Sequence, residues 1–160
     1  TPDCTKLVLL QNELPEHVNI AVAQKARRAE VAVWLNAAPA RTLPAQLVDL
    51  VDLVIVNRVE AAFYADQLSD ERVLTTLGVD GVSFDGSHYP AHPVKVVSTH
   101  GAGDMFVGAL AAQVAEGAAL TDAIPFAQAA AALHVSTPVS ARGGLGRADV
   151  KRVLKGQLNP

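Results

Sequence analysis

The segment Ser98-Thr99-His100-Gly101-Ala102-Gly103-Asp104 holds the residue types and spacing best suited to chemistry. It ends an extended stretch and opens a helical one. Gly101 and Gly103 let the backbone turn sharply and bring main-chain N–H groups close to a ligand. The first N–H groups of a helix have no partner inside it, and the helix dipole is positive there, so such a turn is an anion site. It can hold a phosphoryl group while negative charge shifts during transfer. Asp104 falls in the first helical turn, where the same groups favour negative charge. As a carboxylate it can accept the proton of a hydroxyl that attacks phosphorus. In a loose transition state that proton leaves late, so a weak base suffices. The same residues also read as a plain turn followed by an ordinary first-turn acid, and the local sequence alone does not choose between the two.

Positioning such a turn requires a framework, and the apolar pattern predicts one. Lys6–Leu10, Val31–Leu35, Leu53–Val56 and Arg72–Thr76 read as strands. Their unbroken apolar runs are those of parallel strands covered on both faces. Between them, Pro15 opens a helix with Val18, Val22, Ala26 and Ala29 on one face, and Pro44 starts a short one with Leu47, Val48 and Val51 facing inward. The alternation implies right-handed crossovers and an α/β layered sheet. Gly81, Asp85-Gly86 and Pro90 punctuate a hairpin or meander over Val82–Val97. A helix is expected from Ala102 to Glu116, stopped by Gly117. Another, capped by Thr121 with Pro125 near its first turn, runs to Val135. Ser136–Gly146 reads as a loop and Ala148–Leu154 as a last short helix. Ligands of open α/β sheets bind at the carboxyl ends of the strands. Glu13, Asn36, Asn57 and Gly78 follow the first four strands in turn.

The bulk numbers fit this framework. The 160 residues are 50% hydrophobic and 18% charged, which favours a compact protein with a sizeable core. The net charge of -3 and the lack of a long basic run argue against nucleic acid or an anionic membrane as partner. No apolar stretch is long enough to span a bilayer and no signal peptide is visible. Cys4 is the only cysteine, so no intrachain disulfide forms, and a cytoplasmic location is expected. None of the five histidines has metal-ligand spacing, so no zinc is predicted. Trp34 reads as core. Asn57 and Glu60 have the spacing of a helix cap and its capping-box partner. Glu13 can be a plain loop acid and Asn36 a turn-former ahead of Pro39.

STHGAGDMF resembles the second signature of the ribokinase family, the phosphofructokinase-B type of carbohydrate kinases, roughly D-T-x-G-A-G-D-x-F. Four further matches follow the family's order. LVLLQNELP resembles the strand and turn that carry a sugar-facing acid, WLNAAPAR the L-N-P-A-P-A-R stretch, VNRVEA the N-x-x-E motif and TTLGVDG the T-L-G-x-x-G turn. The resemblance runs from Leu7 to about Ala141 and implies a ribokinase-like, layered α/β/α fold with a mostly parallel sheet. Residues 1–160 would be its C-terminal nucleotide-binding and catalytic portion, without the N-terminal lid region. It implies ATP-dependent transfer of the γ-phosphoryl group to a sugar hydroxyl. Ribose or a similar furanose leads; fructose, 2-keto-3-deoxygluconate and nucleosides stay open.

The resemblance also implies roles. Asp104 would be the catalytic base, in contact with the sugar, and Gly101, Ala102 and Gly103 the anion hole. Asn57 and Glu60 would organise the phosphates and the magnesium shell, Glu60 through water. Thr76 and Gly78 would line the nucleotide, Glu13 would reach the sugar, and Gln128 falls where the family often has Asn or His near the adenine. His100 corresponds to a position that is not catalytic in the family.

Four departures qualify this. The family's region before the equivalent of Thr1, which supplies much of the sugar pocket and lid, is missing, so the chain is not expected to close a complete site alone. Ser98 replaces an Asp that in many members helps bind a monovalent cation, which puts potassium activation in doubt. Tyr64–Arg72 is short, as if a crossover helix were absent. Ala37 replaces a usual Pro. A non-catalytic nucleotide-binding or structural remnant is the alternative. A dinucleotide-binding oxidoreductase fits less well, because GAGD follows late strands and no G-x-G-x-x-G opens a βαβ unit. Related kinases often dimerise through the lid, so a homodimer stays open.

Overall fold

The computed structural model describes residues 5–157, so Cys4 lies outside the described residues. They fall into two compact units. One holds the residues up to Leu77 with Ser83–His88, the other Gly78–Val82 with the residues from Tyr89 onward.

The first unit is built on the sheet. Its strands are β1 Leu7–Gln11, β2 Ala32–Asn36, β3 Leu53–Asn57, β4 Val73–Thr76, β5 Val82–Phe84 and β6 Ser87–Tyr89, side by side in that order. The pairings β1–β2, β2–β3 and β3–β4 are parallel. The register sets Gln11 beside Asn36, Asn36 beside Ile55 and Asn57 beside Thr76, so these strands end along one edge. A turn with positive φ at Asp85 and Gly86 joins β5 to β6, the hairpin expected from the Asp-Gly pair. Helices α1 Glu16–Arg28, α2 Ala45–Val48 and α3 Arg58–Tyr64 link the parallel strands. Leu10, Ala23, Ala26, Val33, Leu35, Leu47, Val54, Val56 and Tyr64 form the core, and Trp34 is buried as expected.

One expectation about the first unit needs correction. The buried positions of α1 are Asn19, Ala23 and Ala26, whereas Val22 is 38% exposed. Asn19 takes the inward position, where its Nδ2 donates to the Gln11 carbonyl at the end of β1, 2.9 Å away, while its Oδ1 has no partner among the described residues. The crossover from β3 to β4 is short, as expected, with no second α-helix among the described residues between Tyr64 and β4. It starts within α3 directly after Asn57 and finishes in a 3-10 turn at Asp70–Arg72, where Arg72 Nη1 donates to the carbonyls of Val48 and Val51.

In the second unit, helices α4 Ala102–Ala115, α5 Leu120–Ser136 and α6 Arg147–Leu154 pack through Met105, Ala109, Phe126, Ala129, Ala130, Leu133, Val150 and Val153. Alanines on α5 give a narrow face against which neighbours approach closely. Gly117, at φ 100, ends α4 as the sequence predicts. Thr121 does not cap α5. The chain enters through an extended Ala119, whose carbonyl already accepts from the Asp122 and Ala123 N–H groups, so Thr121 is helical and Pro125 lies inside the helix. Within the segment expected to be a loop, residues 139–144 form a 3-10 turn. Among the described residues no helix is long and apolar enough to cross a membrane.

Candidate functional site

The start of α4 is the most open piece of backbone chemistry in the second unit. Gly101 is its N-cap, in the left-handed conformation at φ 76, ψ 8, and no side chain caps the helix. The backbone angle favours glycine here, and a Cβ at this position would also press on His134 Nε2 at 3.1 Å, which would have to give by a few tenths of an ångström. The Ala102 N–H is held by the Thr99 carbonyl at 3.1 Å and the Met105 N–H by the Gly101 carbonyl at 2.9 Å. The intervening N–H groups of Gly103 and Asp104 are the helix's orphan donors, and both residues are exposed. Asp104 makes no hydrogen bond or ion pair among the described residues. An exposed carboxylate thus stands beside main-chain donors that have no side chain to satisfy them. His100 turns its carbonyl, not its ring, to this structure: that oxygen accepts from Arg142 at 3.0 Å.

The first unit collects a separate group at the strand ends. Glu13 is exposed in the turn after β1, and Asn36 ends β2. At the end of β3, Asn57 Oδ1 accepts from the N–H groups of Val59 and Glu60, both at 2.9 Å, while Glu60 Oε2 accepts from the Asn57 N–H at 2.8 Å. The capping box foreseen from the spacing is therefore formed, and Glu60 is buried. Thr76 ends β4, and its hydroxyl donates to the Val56 carbonyl at 3.2 Å. The structure thus brings Asn57, Glu60 and Thr76 to one end of adjacent strands. In the second unit, Gly78 sits at φ 64, a conformation open to glycine, with free space where a Cβ would stand. Gln128 is buried on α5 and its Nε2 donates to the Tyr89 carbonyl at 2.8 Å, which leaves its oxygen and its second amide hydrogen for any ligand.

Sequence reasoning missed three residues that shape these regions. Asn12, beside Glu13, is buried and donates to the Pro39 carbonyl and to Tyr64 Oη. Tyr64 Oη also accepts from the Arg41 N–H, tying the turn after β2 to α3. Arg142 grips the approach to Gly101. An arginine set among glycines was a faint signal, but its partners lie too far along the chain to be read.

With this geometry in place, the comparisons are decisive about class. Residues 4–143 match the model of the pfkB family carbohydrate kinases, and the chain belongs to that family. A ribokinase of Lactococcus lactis is 36% identical over 94% of this chain and 54% of its own length. Among solved structures, the ribokinase of Thermotoga maritima is 30% identical with a TM-score of 0.78, over 94% of this chain and 57% of that one. An Arabidopsis thaliana ribokinase complexed with ribose and ATP is 30% identical with a TM-score of 0.81, over 93% of this chain and 55% of that one. The layered, mostly parallel α/β fold is that of these ribokinases. The chain spans about half the length of the relatives it matches.

Proposed function

We propose that the chain is the C-terminal nucleotide-binding and catalytic part of an ATP-dependent sugar kinase that phosphorylates a hydroxyl of ribose or a similar furanose. The observation that carries this reading is the start of α4, where an exposed Asp104 adjoins an uncapped helix terminus led by a left-handed Gly101. The relatives named above as ribokinases, one of them complexed with ribose and ATP, support the substrates.

In this reading the turn at Gly101, Ala102 and Gly103 stabilises the charge on the migrating phosphoryl group through its open main-chain donors, the Ala102 N–H being engaged by the Thr99 carbonyl, and Asp104 accepts the proton of the attacking hydroxyl. Thr76 and Gly78 border the nucleotide, with Gly78 allowing close backbone approach. Glu13 reaches the sugar. Gln128 offers its carboxamide oxygen and its remaining amide hydrogen near the adenine. Asn57 orients the phosphates while capping α3.

Magnesium fits this donor set only loosely. Among the described residues no group of three or more His, Cys, Asp or Glu side chains is placed to hold a metal ion, and Glu60 offers a single carboxylate. That is adequate for an ion that keeps most of its waters and takes further oxygens from a nucleotide. When bound, magnesium would neutralise charge on the phosphates.

The test is ADP release by the full-length protein with ATP and a panel of ribose, fructose and a nucleoside. Ribose is expected to give the highest kcat/KM. Asp104→Asn is expected to lower kcat by about 10²–10⁴-fold with unchanged thermal melting. Near-normal turnover of that variant would overturn the assignment of the base. ATP binding without sugar-dependent ADP release in the unmodified protein would favour a non-catalytic descendant.

A further inference from the structure

Arg142 belongs to none of the motifs that carry the family resemblance, yet its guanidinium donates to two carbonyls on the approach to the anion turn. It is half-buried in the 3-10 turn at residues 139–144. Its Nη2 donates to the Ser98 carbonyl at 3.0 Å, its Nη1 to the His100 carbonyl at 3.0 Å and its Nε to the Thr137 carbonyl at 3.1 Å. Nη1 also lies 2.9 Å from His134 Nε2, the atom that closes the space behind Gly101. The guanidinium therefore joins the carboxyl end of α5 to residues 98–101. A cation is well placed there, because Thr137 is the C-cap of α5 and the dipole is negative at that end.

The pinned carbonyls flank Thr99, whose own carbonyl receives the Ala102 N–H. The direction of the turn's donors is thus fixed through Ser98 and His100. Only a planar fork of donors reaches three carbonyls at once in this way.

The resemblance implies a monovalent cation near the position of Ser98, and the residues here do not fit one. The Ser98 carbonyl already accepts from a guanidinium and its side chain carries no charge. A second cation sharing those oxygens would meet the repulsion of Arg142 at close range. We propose that Arg142 is the positioning residue of the anion turn, a resident cation that makes an added monovalent ion unnecessary. This rests on the kinase reading for its catalytic consequence, though not for its structural one.

The experiment uses the full-length protein and its Arg142→Ala and Arg142→Gln variants, the second nearer in size and suited to retaining the fold. Sugar-dependent ADP release is measured at constant ionic strength in potassium, sodium or tetramethylammonium chloride. The unmodified protein is expected to turn over equally in all three salts. The variants are expected to lose about 10²-fold in kcat with little change in KM, because the donors are misaimed rather than removed. Guanidinium chloride at about 10 mM is expected to restore about tenfold in Arg142→Ala, which a loss of general stability would not allow. Strong potassium stimulation of the unmodified protein, or wild-type kcat in folded variants, would overturn the proposal. Amide hydrogen exchange separates the two readings. In the variants, exchange at Ser98 and Ala102 is expected to quicken about tenfold while the middle of α4 keeps its protection. If the unmodified protein releases no ADP, the kinase reading falls and exchange alone decides: unchanged protection at Ser98 and Ala102 would then refute the role of Arg142.

Discussion

Helices α4 and α6 begin with the same spacing, Gly-x-x-Asp, and reach opposite outcomes. At α6, Gly146 is extended at φ -140, ψ 175, and its N–H donates to Asp149 Oδ2 at 2.9 Å. The acid closes its own helix start. At α4, Gly101 is left-handed at φ 76, and Asp104 makes no such bond. An extended N-cap points its N–H back over the first turn, within reach of a side chain three residues on; a left-handed one points it away. The conformation of the N-cap, left-handed at Gly101 and extended at Gly146, separates a structural acid from one available to a ligand. Helix α3 falls with α6, since Asn57 and Glu60 satisfy each other's donors.

The largest effect should come from forcing α4 toward the behaviour of α6. Gly101→Ala places a Cβ against His134 and an L-residue at φ 76. Holding that conformation is expected to cost about 1–3 kcal/mol, measurable as a lower denaturation midpoint. If the turn relaxes instead to an extended N-cap, Asp104 becomes able to close on residue 101, and kcat should fall further than stability alone accounts for. A variant with full stability and full turnover would show that the left-handed cap is not what keeps Asp104 open.

How much of this was legible beforehand follows from the same pair. The parallel strands were readable because β1 to β3 are nearly unbroken apolar runs, and Asp85-Gly86 announced its hairpin. The N-x-x-E spacing at Asn57 and Glu60 contained its capping box, since both side chains act on backbone within three residues. Asp104 stood out, but Gly101–Asp104 and Gly146–Asp149 are alike as strings, so the sequence offered no means of telling an open start from a closed one. Asn19 was hidden because its partner, the Gln11 carbonyl, is main chain and leaves no mark on composition. Arg142 was hidden for the same reason: its acceptors at Ser98, His100 and Thr137 are carbonyls that any residue would supply.

A smaller effect is expected at α3, where capping and phosphate contact are assigned to one residue. Asn57→Ala removes the acceptor for the Val59 and Glu60 N–H groups and should cost about 0.5–2 kcal/mol. Asn57→Ser keeps a capping oxygen and should recover most of that stability. If its KM for ATP nevertheless stays raised, the carboxamide does more than cap. If both recover together, capping is its whole contribution, and α3 joins α6 as a closed helix start.

The smallest effect is at α6 itself and depends on pH. The Gly146 N–H, and after it the Arg152 guanidinium, hold the Asp149 carboxyl below the usual aspartate range. A carboxyl whose folded value is depressed stabilises the fold fully above its unfolded value, about 3.9, and loses that contribution as pH falls through the lower folded value. Protection of the α6 amides should therefore be constant at neutral pH and weaken only in acid. Asp149→Asn should weaken it at neutral pH and remove most of its acid dependence. Nothing comparable should happen at the first turn of α4, where the acid makes no bond to its own helix. Acid-dependent protection at Gly101–Asp104 matching that at Gly146–Asp149 would mean the two starts close alike in solution, and the distinction between them would fail.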